Sequence, residues 1–255
     1  MGVREMFELT GKVALITGGS RGLGLQIAKG LAEMGAKVAI SARKAVELEE
    51  AKGELSPLGV DVLTVVNDLS KEGQPAALVD AVVAHFGKID ILVNNAGATW
   101  GALAEQHPLE AWNKVMNLNA TSVFALSQAA ANRCFIPQGS GNIIIVASTA
   151  ALRAGMQMNA VAYFSSKAAA LHLTRALAVE WGKYNIRVNA ICPGFFPSKM
   201  ADGLLKTIGA DVIARTPLGR MGDDTDLQGA AVYLASAASK HVTGQYIAVD
   251  GGASI

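Results

Sequence analysis

The chain has 255 residues, which is enough for one large α/β domain or two small ones. Lysine and arginine total 22 and aspartate and glutamate total 21, so the net charge is +1. No basic run is present that could follow a phosphate backbone, which argues against nucleic acid as a partner.

The N-terminal stretch "MGVREMFELTGK" lacks the apolar core of a signal peptide. Polar or charged residues interrupt every apolar run before it reaches the roughly 18 residues of a membrane span. We therefore expect a soluble, cytoplasmic protein with no membrane partner. The histidines are scattered without metal-ligand spacing and the two cysteines, Cys134 and Cys192, are far apart, so we expect two buried thiols and no metal site.

Short runs rich in valine and isoleucine alternate with longer segments of helical periodicity. In chain order the runs are "KVALITG", "KVAISAR", "VDVLTVV", "IDILVNNAG", "GNIIIVAS", "IRVNAICPG" and "YIAVDGG". This alternation predicts an α/β fold with a seven-stranded parallel sheet and helices on both faces. We find no linker, so we expect one doubly wound domain over residues 1–255, with a small substrate lid around residues 195–215.

The first run leads into the glycine-rich stretch "TGGSRGLG" and then into a helical segment. Gly18, Gly22 and Gly24 let the backbone approach a pyrophosphate, whose charge then meets the helix N-terminus. Between a strand and a helix, in the first βαβ unit, such a loop is a strong indication of a Rossmann-type dinucleotide site.

The end of the second run indicates which dinucleotide binds. Ala42 stands where NAD would require a carboxylate for its ribose hydroxyl, and Arg43 follows it. Arg21 of the glycine loop lies within reach of the same place. Two arginines and no carboxylate favour NADP(H) over NAD(H).

Four further motifs close later strands, at the edge of the sheet where ligands bind in open α/β folds. They are "NDLS", "NNAG", "VAST" with Ser148, and "CPG" with Gly194. Downstream, "YFSSK" places Tyr163 and Lys167 four residues apart, and hence on one face of a helix.

With these motifs the sequence resembles the short-chain dehydrogenase/reductase family from Leu9 to Gly252. "TGGSRGLG" is similar to the family's TGxxxGxG loop, "NNAG" to its strand-four motif and "YFSSK" to its YxxxK. The resemblance implies a Rossmann-type oxidoreductase with catalytic residues Asn119, Ser148, Tyr163 and Lys167. Only the stretch between Ser148 and Tyr163 departs, being slightly longer than the common family spacing.

The roles of these residues follow from carbonyl chemistry and from the resemblance. Tyr163 would donate the proton that hydride transfer to a carbonyl requires, and a cation one helical turn away, Lys167, would lower the pKa of its phenol. Ser148 would hydrogen-bond the substrate oxygen, Lys167 would also hold the nicotinamide ribose, and Asn119 would hold a water that relays protons. Taken singly, Ser148 also fits a cap, Asn119 a backbone partner and Tyr163 a core residue.

Further residues are predicted to contact the cofactor, and the family resemblance implies that Asp68 contacts its adenine. The predicted cofactor-binding residues are Gly18, Ser20, Arg21, Gly22, Leu23, Gly24, Arg43, Asp68, Leu69, Asn95, Ala96, Gly97, Tyr163, Lys167, Pro193 and Gly194.

Large apolar side chains and one arginine are placed to close over the nicotinamide. The predicted substrate residues are Trp100, Arg153, Met156, Phe195, Phe196 and Met200. The chain is similar to the 3-oxoacyl thioester reductases of the family, and the apolar wall supports that substrate class. It is also similar to sugar-acid dehydrogenases of the gluconate 5-dehydrogenase kind, through "FELTGKVALITGG" and "PLGRMGDDTDLQGAAVYLAS", and Arg153 would bind the carboxylate of such a substrate. A third reading is a sensor that binds NADP(H) without turnover.

The low charged fraction, 17%, predicts that further subunits cover part of the surface. The predicted Tyr163 helix has a second apolar side with Ala169, Leu173, Ala176 and Leu177. The resemblance implies that such surfaces pair subunits, so we expect a homotetramer, with a dimer next.

Overall fold

The computed structural model describes residues 2–155, 158–198 and 202–255, except for the side chains of residues 202 and 204. Its centre is one parallel sheet in the order β3-β2-β1-β4-β5-β6-β7, which confirms the predicted fold class. The strands are β1 Val13–Thr17, β2 Lys37–Ala42, β3 Val62–Val66, β4 Ile91–Asn94, β5 Gly141–Val146, β6 Ile186–Pro193 and β7 Tyr246–Val249.

Helices cover both faces of the sheet, as its apolar strands require. They are α1 Gly22–Glu33, α2 Ala45–Leu55, α3 Gln74–Phe86, α4 Leu109–Met116, α5 Ser122–Ala130, α6 Ile136–Gln138, α7 Val161–Trp181, α8 Asp202–Arg215 and α9 Gln228–Ala235. Neighbouring residues of a strand point to opposite faces, so Ile16 packs with α1, α2 and α9, whereas Leu15 packs with α3, α5 and α7. Both side chains are fully buried.

Parallel strands bring their carboxyl ends to one edge, and the chain reverses its direction of travel across the sheet between β1 and β4. Ligands bind at such a switch point in open α/β sheets. The glycine loop after β1 and the "NNAG" motif at the end of β4 meet there, and the long α7 starts beside them.

Several minor predictions can be compared with the described part of the chain. Cys134 and Cys192 are both free thiols and both buried, as expected. Within residues 2–155, 158–198 and 202–255, no helix is long and apolar enough to cross a membrane, and no cluster of three or more metal-ligating side chains is found. The predicted excursion at residues 195–215 contains α8.

Candidate active site

The glycine loop between β1 and α1 is held against the end of β4. Gly18 and Gly22 have positive φ angles of 62° and 53°, which side-chain-bearing residues rarely adopt. A Cβ atom at Gly24 would lie 2.3 Å from the Gly18 carbonyl oxygen and 2.4 Å from Asn95 Nδ2. The loop can therefore hold this tight path only with glycine at position 24.

Thr17 and Asn95 tie the loop to its neighbour strand. Asn95 Nδ2 donates to the carbonyls of Thr17 at 2.9 Å and Gly18 at 3.2 Å. In return, Thr17 Oγ1 accepts from the backbone amides of Asn95 and Ala96, each at 3.0 Å. The "NNAG" motif thus acts first as a brace for the glycine loop.

Charged residues surround the corner where the second strand ends. Arg21 and Lys44 both donate to Glu47 Oε1, at 2.8 and 3.1 Å. Hydrogen bonds from Ser70, and to a lesser extent the charge of Arg43, hold the pKa of the Asp68 carboxyl below its ordinary value. The predicted residues Arg21, Arg43 and Asp68 therefore lie in a predominantly basic corner, in which sequence reasoning missed Lys44 and its partner Glu47.

Lys167 lies beneath Tyr163, as their spacing on α7 requires. Only 6% of Lys167 is exposed, its Nζ lies 5.8 Å from the centroid of the Tyr163 ring, and it donates to the Val146 carbonyl at 2.8 Å. Burial lowers the pKa of the Lys167 ammonium from 10.5 to about 8. A lysine this deeply buried lowers the stability of the folded state and is a common sign of a functional site.

The phenol of Tyr163 does not have the lowered pKa that its lysine neighbour led us to expect. Burial raises the pKa of Tyr163, and the hydrogen bond with Ser148 only partly opposes that rise. The reason is that a phenolate would be poorly solvated at this depth. A raised pKa keeps the phenol protonated, which is the form a proton donor needs.

Ser148 follows β5 and combines two of the roles considered for it. Its Oγ accepts from the Ala150 backbone amide at 3.1 Å and so caps the short turn Thr149–Ala151. The same hydroxyl is the hydrogen-bond partner of Tyr163. The two polar groups therefore face one point above the sheet edge.

Asn119 is 1% exposed and lies in a π-helical turn, Asn117–Thr121, between α4 and α5. Its side chain accepts from the Ala98 amide and donates to the Ala98 carbonyl, each at 2.8 Å, and donates to Ser166 Oγ at 3.0 Å. π-helical turns inside longer helices are frequent at functional sites. Here the turn lets Asn119 fasten the loop after β4 to α7.

A cavity of about 660 Å³ opens above these groups. Described residues that line it include Ser148, Tyr163, Gly194, Phe195 and Phe196. A Cβ atom at Gly222 would lie 2.2 Å from the ring of Phe196, which is only 4% exposed, so that ring also serves as a core contact.

The other predicted substrate residues have different positions. Trp100 is 46% exposed and does not line the cavity, although its neighbours Thr99 and Gly101 do. Arg153 lines the cavity and donates a hydrogen bond to the Ala253 carbonyl near the end of the chain. Met156 and Met200 lie outside the described residues.

Sequence reasoning missed Arg215, in the last turn of α8. It lines the same cavity as Ile208 and Val212. These three residues are spaced four and three apart, the interval that places helical side chains on one face, so the sequence did contain the signal.

Comparison with known proteins agrees with this arrangement. A family model described as enoyl-(acyl carrier protein) reductase matches residues 18–254. The chain belongs to the short-chain dehydrogenase/reductase family. The family assignment identifies it as an oxidoreductase and confirms the resemblance that the motifs indicated.

Two relatives and one solved structure show how this short-chain dehydrogenase/reductase compares with known members. It is 45% identical to 2-dehydro-3-deoxy-D-gluconate 5-dehydrogenase of Dickeya dadantii, over 98% of each chain. It is 41% identical to the rhamnolipids biosynthesis 3-oxoacyl-[acyl-carrier-protein] reductase of Pseudomonas aeruginosa, over 96% of this chain and 97% of the relative. The crystal structure of a gluconate 5-dehydrogenase from Burkholderia cenocepacia, in complex with NADP and tartrate, superposes with a TM-score of 0.93 at 35% identity, covering 99% of this chain and 98% of that one.

Proposed function

We propose that this protein is an NADP(H)-dependent oxidoreductase that interconverts a ketone and a secondary alcohol, with Tyr163 as the acid and base. One observation carries the proposal. The Tyr163 hydroxyl is hydrogen-bonded to Ser148 at the wall of a cavity, and the same helix holds a buried lysine beside it. Proton donor, second donor and cation are the groups that carbonyl reduction requires.

The residues around the glycine loop suit NADP(H), which supplies or accepts the hydride when bound. The tight path at Gly18, Gly22 and Gly24 would let the backbone approach a pyrophosphate at the start of α1. Arg43 and Arg21 would pair with the 2′-phosphate, with Arg21 exchanging its contact to Glu47 for the phosphate. The NADP in the Burkholderia relative supports this choice.

The polar side chains at the site would then have separate roles in reduction. Tyr163 would give its proton to the substrate oxygen. Ser148, which is hydrogen-bonded to Tyr163 in the structure, would turn its hydroxyl hydrogen to the same substrate oxygen once the substrate is bound. Lys167 would hold the ribose of the cofactor and supply positive charge beside the phenol. In oxidation the phenolate of Tyr163 would accept the proton instead.

Asn119 would act by positioning as well as by the proton relay predicted from the resemblance. Its amide already binds Ala98 and Ser166, so it keeps the loop that includes Gly97 against α7. A Cβ atom at Gly97 would lie 3.2 Å from Asn119 Oδ1 and 3.6 Å from Lys167 Nζ. The absent side chain leaves the space in which a relaying water would lie.

For the substrate, a sugar acid now ranks above the 3-oxoacyl thioester that the apolar residues first favoured. The charged side chains among the described cavity residues are two arginines, Arg153 and Arg215, and none is acidic. An arginine-bearing cavity suits a carboxylate. The 45% identity with a dehydrogenase of a deoxy sugar acid points the same way.

A 3-oxoacyl thioester remains the second candidate because of a specific observation. Part of the cavity wall is apolar, with Phe195, Phe164 and Met158, and one relative at 41% identity is a 3-oxoacyl reductase.

We also propose, from the sequence pattern and the family, that the protein is a homotetramer, that it is cytoplasmic and that a substrate lid includes α8.

Turnover assays with purified protein test the proposal. NADP⁺ reduction would be followed with D-gluconate and with the 5-hydroxy sugar acid 2-dehydro-3-deoxy-D-gluconate, and NADPH oxidation with a short 3-oxoacyl thioester. Turnover of a sugar acid at a kcat/KM far above that of the thioester is the expected result. Preference for the thioester would make the acyl assignment correct, and NADPH binding without turnover of any substrate would support the sensor instead.

A further inference from the structure

We infer that Arg215, at the end of α8, binds the carboxylate of the substrate and so selects anionic sugar acids over neutral carbonyl compounds. This inference rests on the sugar-acid function proposed above. It names a residue that motif reasoning passed over, and it moves the main anionic contact away from Arg153, which had been the predicted clamp.

The charge of the cavity is the first observation. The described lining residues carry two guanidinium groups and no carboxylate. A substrate anion entering this cavity would therefore meet positive charge with no competing acidic side chain among those residues. By the same reasoning, a neutral ketone would gain nothing from the arginines.

The second observation separates the two arginines. Arg153 already donates to the carbonyl of Ala253, another residue that lines the cavity, so part of its guanidinium is engaged. Arg215 is exposed and forms no hydrogen bond or ion pair with any residue in the described part of the chain. Its planar fork of donors is therefore available for two parallel hydrogen bonds to a carboxylate.

The third observation concerns how Arg215 is held. It follows Val212 on the cavity face of α8, and the next residue, Thr216, is 6% exposed. Thr216 Oγ1 donates to the Val212 carbonyl at 2.7 Å, and its backbone amide donates to the same carbonyl at 3.0 Å. The backbone on both sides of Arg215 is thus fixed, while its own side chain faces the cavity from the helix end.

The fourth observation is the position of the chemistry in the same cavity. Ser148 and Tyr163 line it from the sheet edge and α7, whereas Arg215 lines it from α8. A substrate held by its carboxylate at Arg215 would present a carbon further along its chain to Tyr163. This matches oxidation at a carbon remote from the acid group, as the name of the 45% identical relative describes.

The test compares charged and neutral forms of one substrate skeleton. The variants are Arg215→Gln and Arg215→Lys, and the matched control is Lys206→Gln, which removes one positive charge from the same helix at an exposed position that does not line the cavity. The substrates are D-gluconate and its neutral counterpart D-gluconamide, with NADP⁺ saturating.

We expect Arg215→Gln to raise KM for D-gluconate by about 10-fold to 100-fold, the usual effect of losing a charged hydrogen-bond pair, with kcat changed only a few-fold. KM for D-gluconamide should stay the same, Arg215→Lys should fall between, and Lys206→Gln should match the unaltered protein. An equal change for both substrates, or none for either, would mean that Arg215 serves only the helix end and would overturn the inference. If the unaltered protein turned over no sugar acid, the proposed substrate would fail, and this inference with it.

Discussion

Replacing the buried lysine with methionine should make the protein more stable at neutral pH while abolishing its activity. Lys167 is 6% exposed, and burial holds its pKa at about 8. In the unfolded chain the same ammonium is solvated, with an ordinary pKa of 10.5. At pH 7 the folded protein is therefore destabilised by a buried charge that Lys167→Met would remove.

The magnitude follows from the two pKa values. A fall from 10.5 to about 8 corresponds to a penalty of about 3 kcal/mol on the charged form in the folded state. The variant also loses the hydrogen bond to the Val146 carbonyl, which opposes the gain by about 1 kcal/mol. We expect Lys167→Met to unfold at pH 7 with a free energy about 2 kcal/mol above that of the unaltered protein, since about 1 kcal/mol of the penalty is offset.

The pH dependence gives the sharper test. Below pH 8 the lysine is protonated in both states and the penalty is constant. Between pH 8 and 10.5 the folded state has released the proton that the unfolded state still binds, so the unaltered protein gains stability as pH rises. The advantage of Lys167→Met should therefore disappear across this interval.

Urea unfolding of the cofactor-free proteins, at one protein concentration from pH 7 to 10.5, would measure this difference. Lys206→Met, which replaces an exposed lysine with the same residue, is the matched control. A flat curve for Lys167→Met, or an advantage that grows with pH, would refute the reasoning that burial dominates at this lysine.

Two further predictions concern the cofactor site. Arg43→Asp should lower kcat/KM for NADPH by about 100-fold and leave kcat/KM for NADH nearly unchanged, because it removes a partner of the 2′-phosphate. Steady-state kinetics with both cofactors would measure this. An unchanged cofactor preference would count against NADP(H) selection at Arg43. Gly24→Ala should weaken NADPH binding and lower the free energy of unfolding by about 1 to 3 kcal/mol, because its Cβ would lie 2.3 Å from the Gly18 carbonyl oxygen. Thermal unfolding with and without NADPH would show it beside Gly53→Ala, where a Cβ in the last turn of α2 meets nothing within 4 Å. Equal behaviour of the two variants would mean that the loop tolerates a side chain.

The fold and the centre of the candidate site could be predicted because their signals are local. Seven apolar runs alternating with helical segments indicate a covered parallel sheet whatever the tertiary detail. The glycine loop is recognisable from its place between strand and helix, and the four-residue spacing of Tyr163 and Lys167 puts them on one face of α7.

What could not be predicted depends on contacts between distant segments. Arg153 meets the Ala253 carbonyl one hundred residues along the chain, and nothing near either residue in the sequence indicates that pairing. The raised pKa of Tyr163 is a consequence of burial, which composition and spacing do not report.

For Arg215 and Trp100 the sequence contained information about their positions, but the motifs gave it the wrong weight. The size of Trp100 and its place after "NNAG" predict a substrate contact, yet its neighbours in the chain line the cavity while Trp100 itself is 46% exposed. Arg215 belongs to no motif, although its helical spacing from Ile208 and Val212 places all three on one face.

The central claim is that Tyr163 transfers the proton during hydride transfer, and Tyr163→Phe tests it most directly. NADPH binding would be measured by fluorescence titration, and turnover would be measured in the same preparation with the substrate on which the unaltered protein is most active. The account predicts an NADPH Kd within a few-fold of the unaltered value and a kcat lower by about 100-fold or more, since general acid catalysis contributes on that scale. Near-normal turnover in Tyr163→Phe, with NADPH bound, would contradict the account.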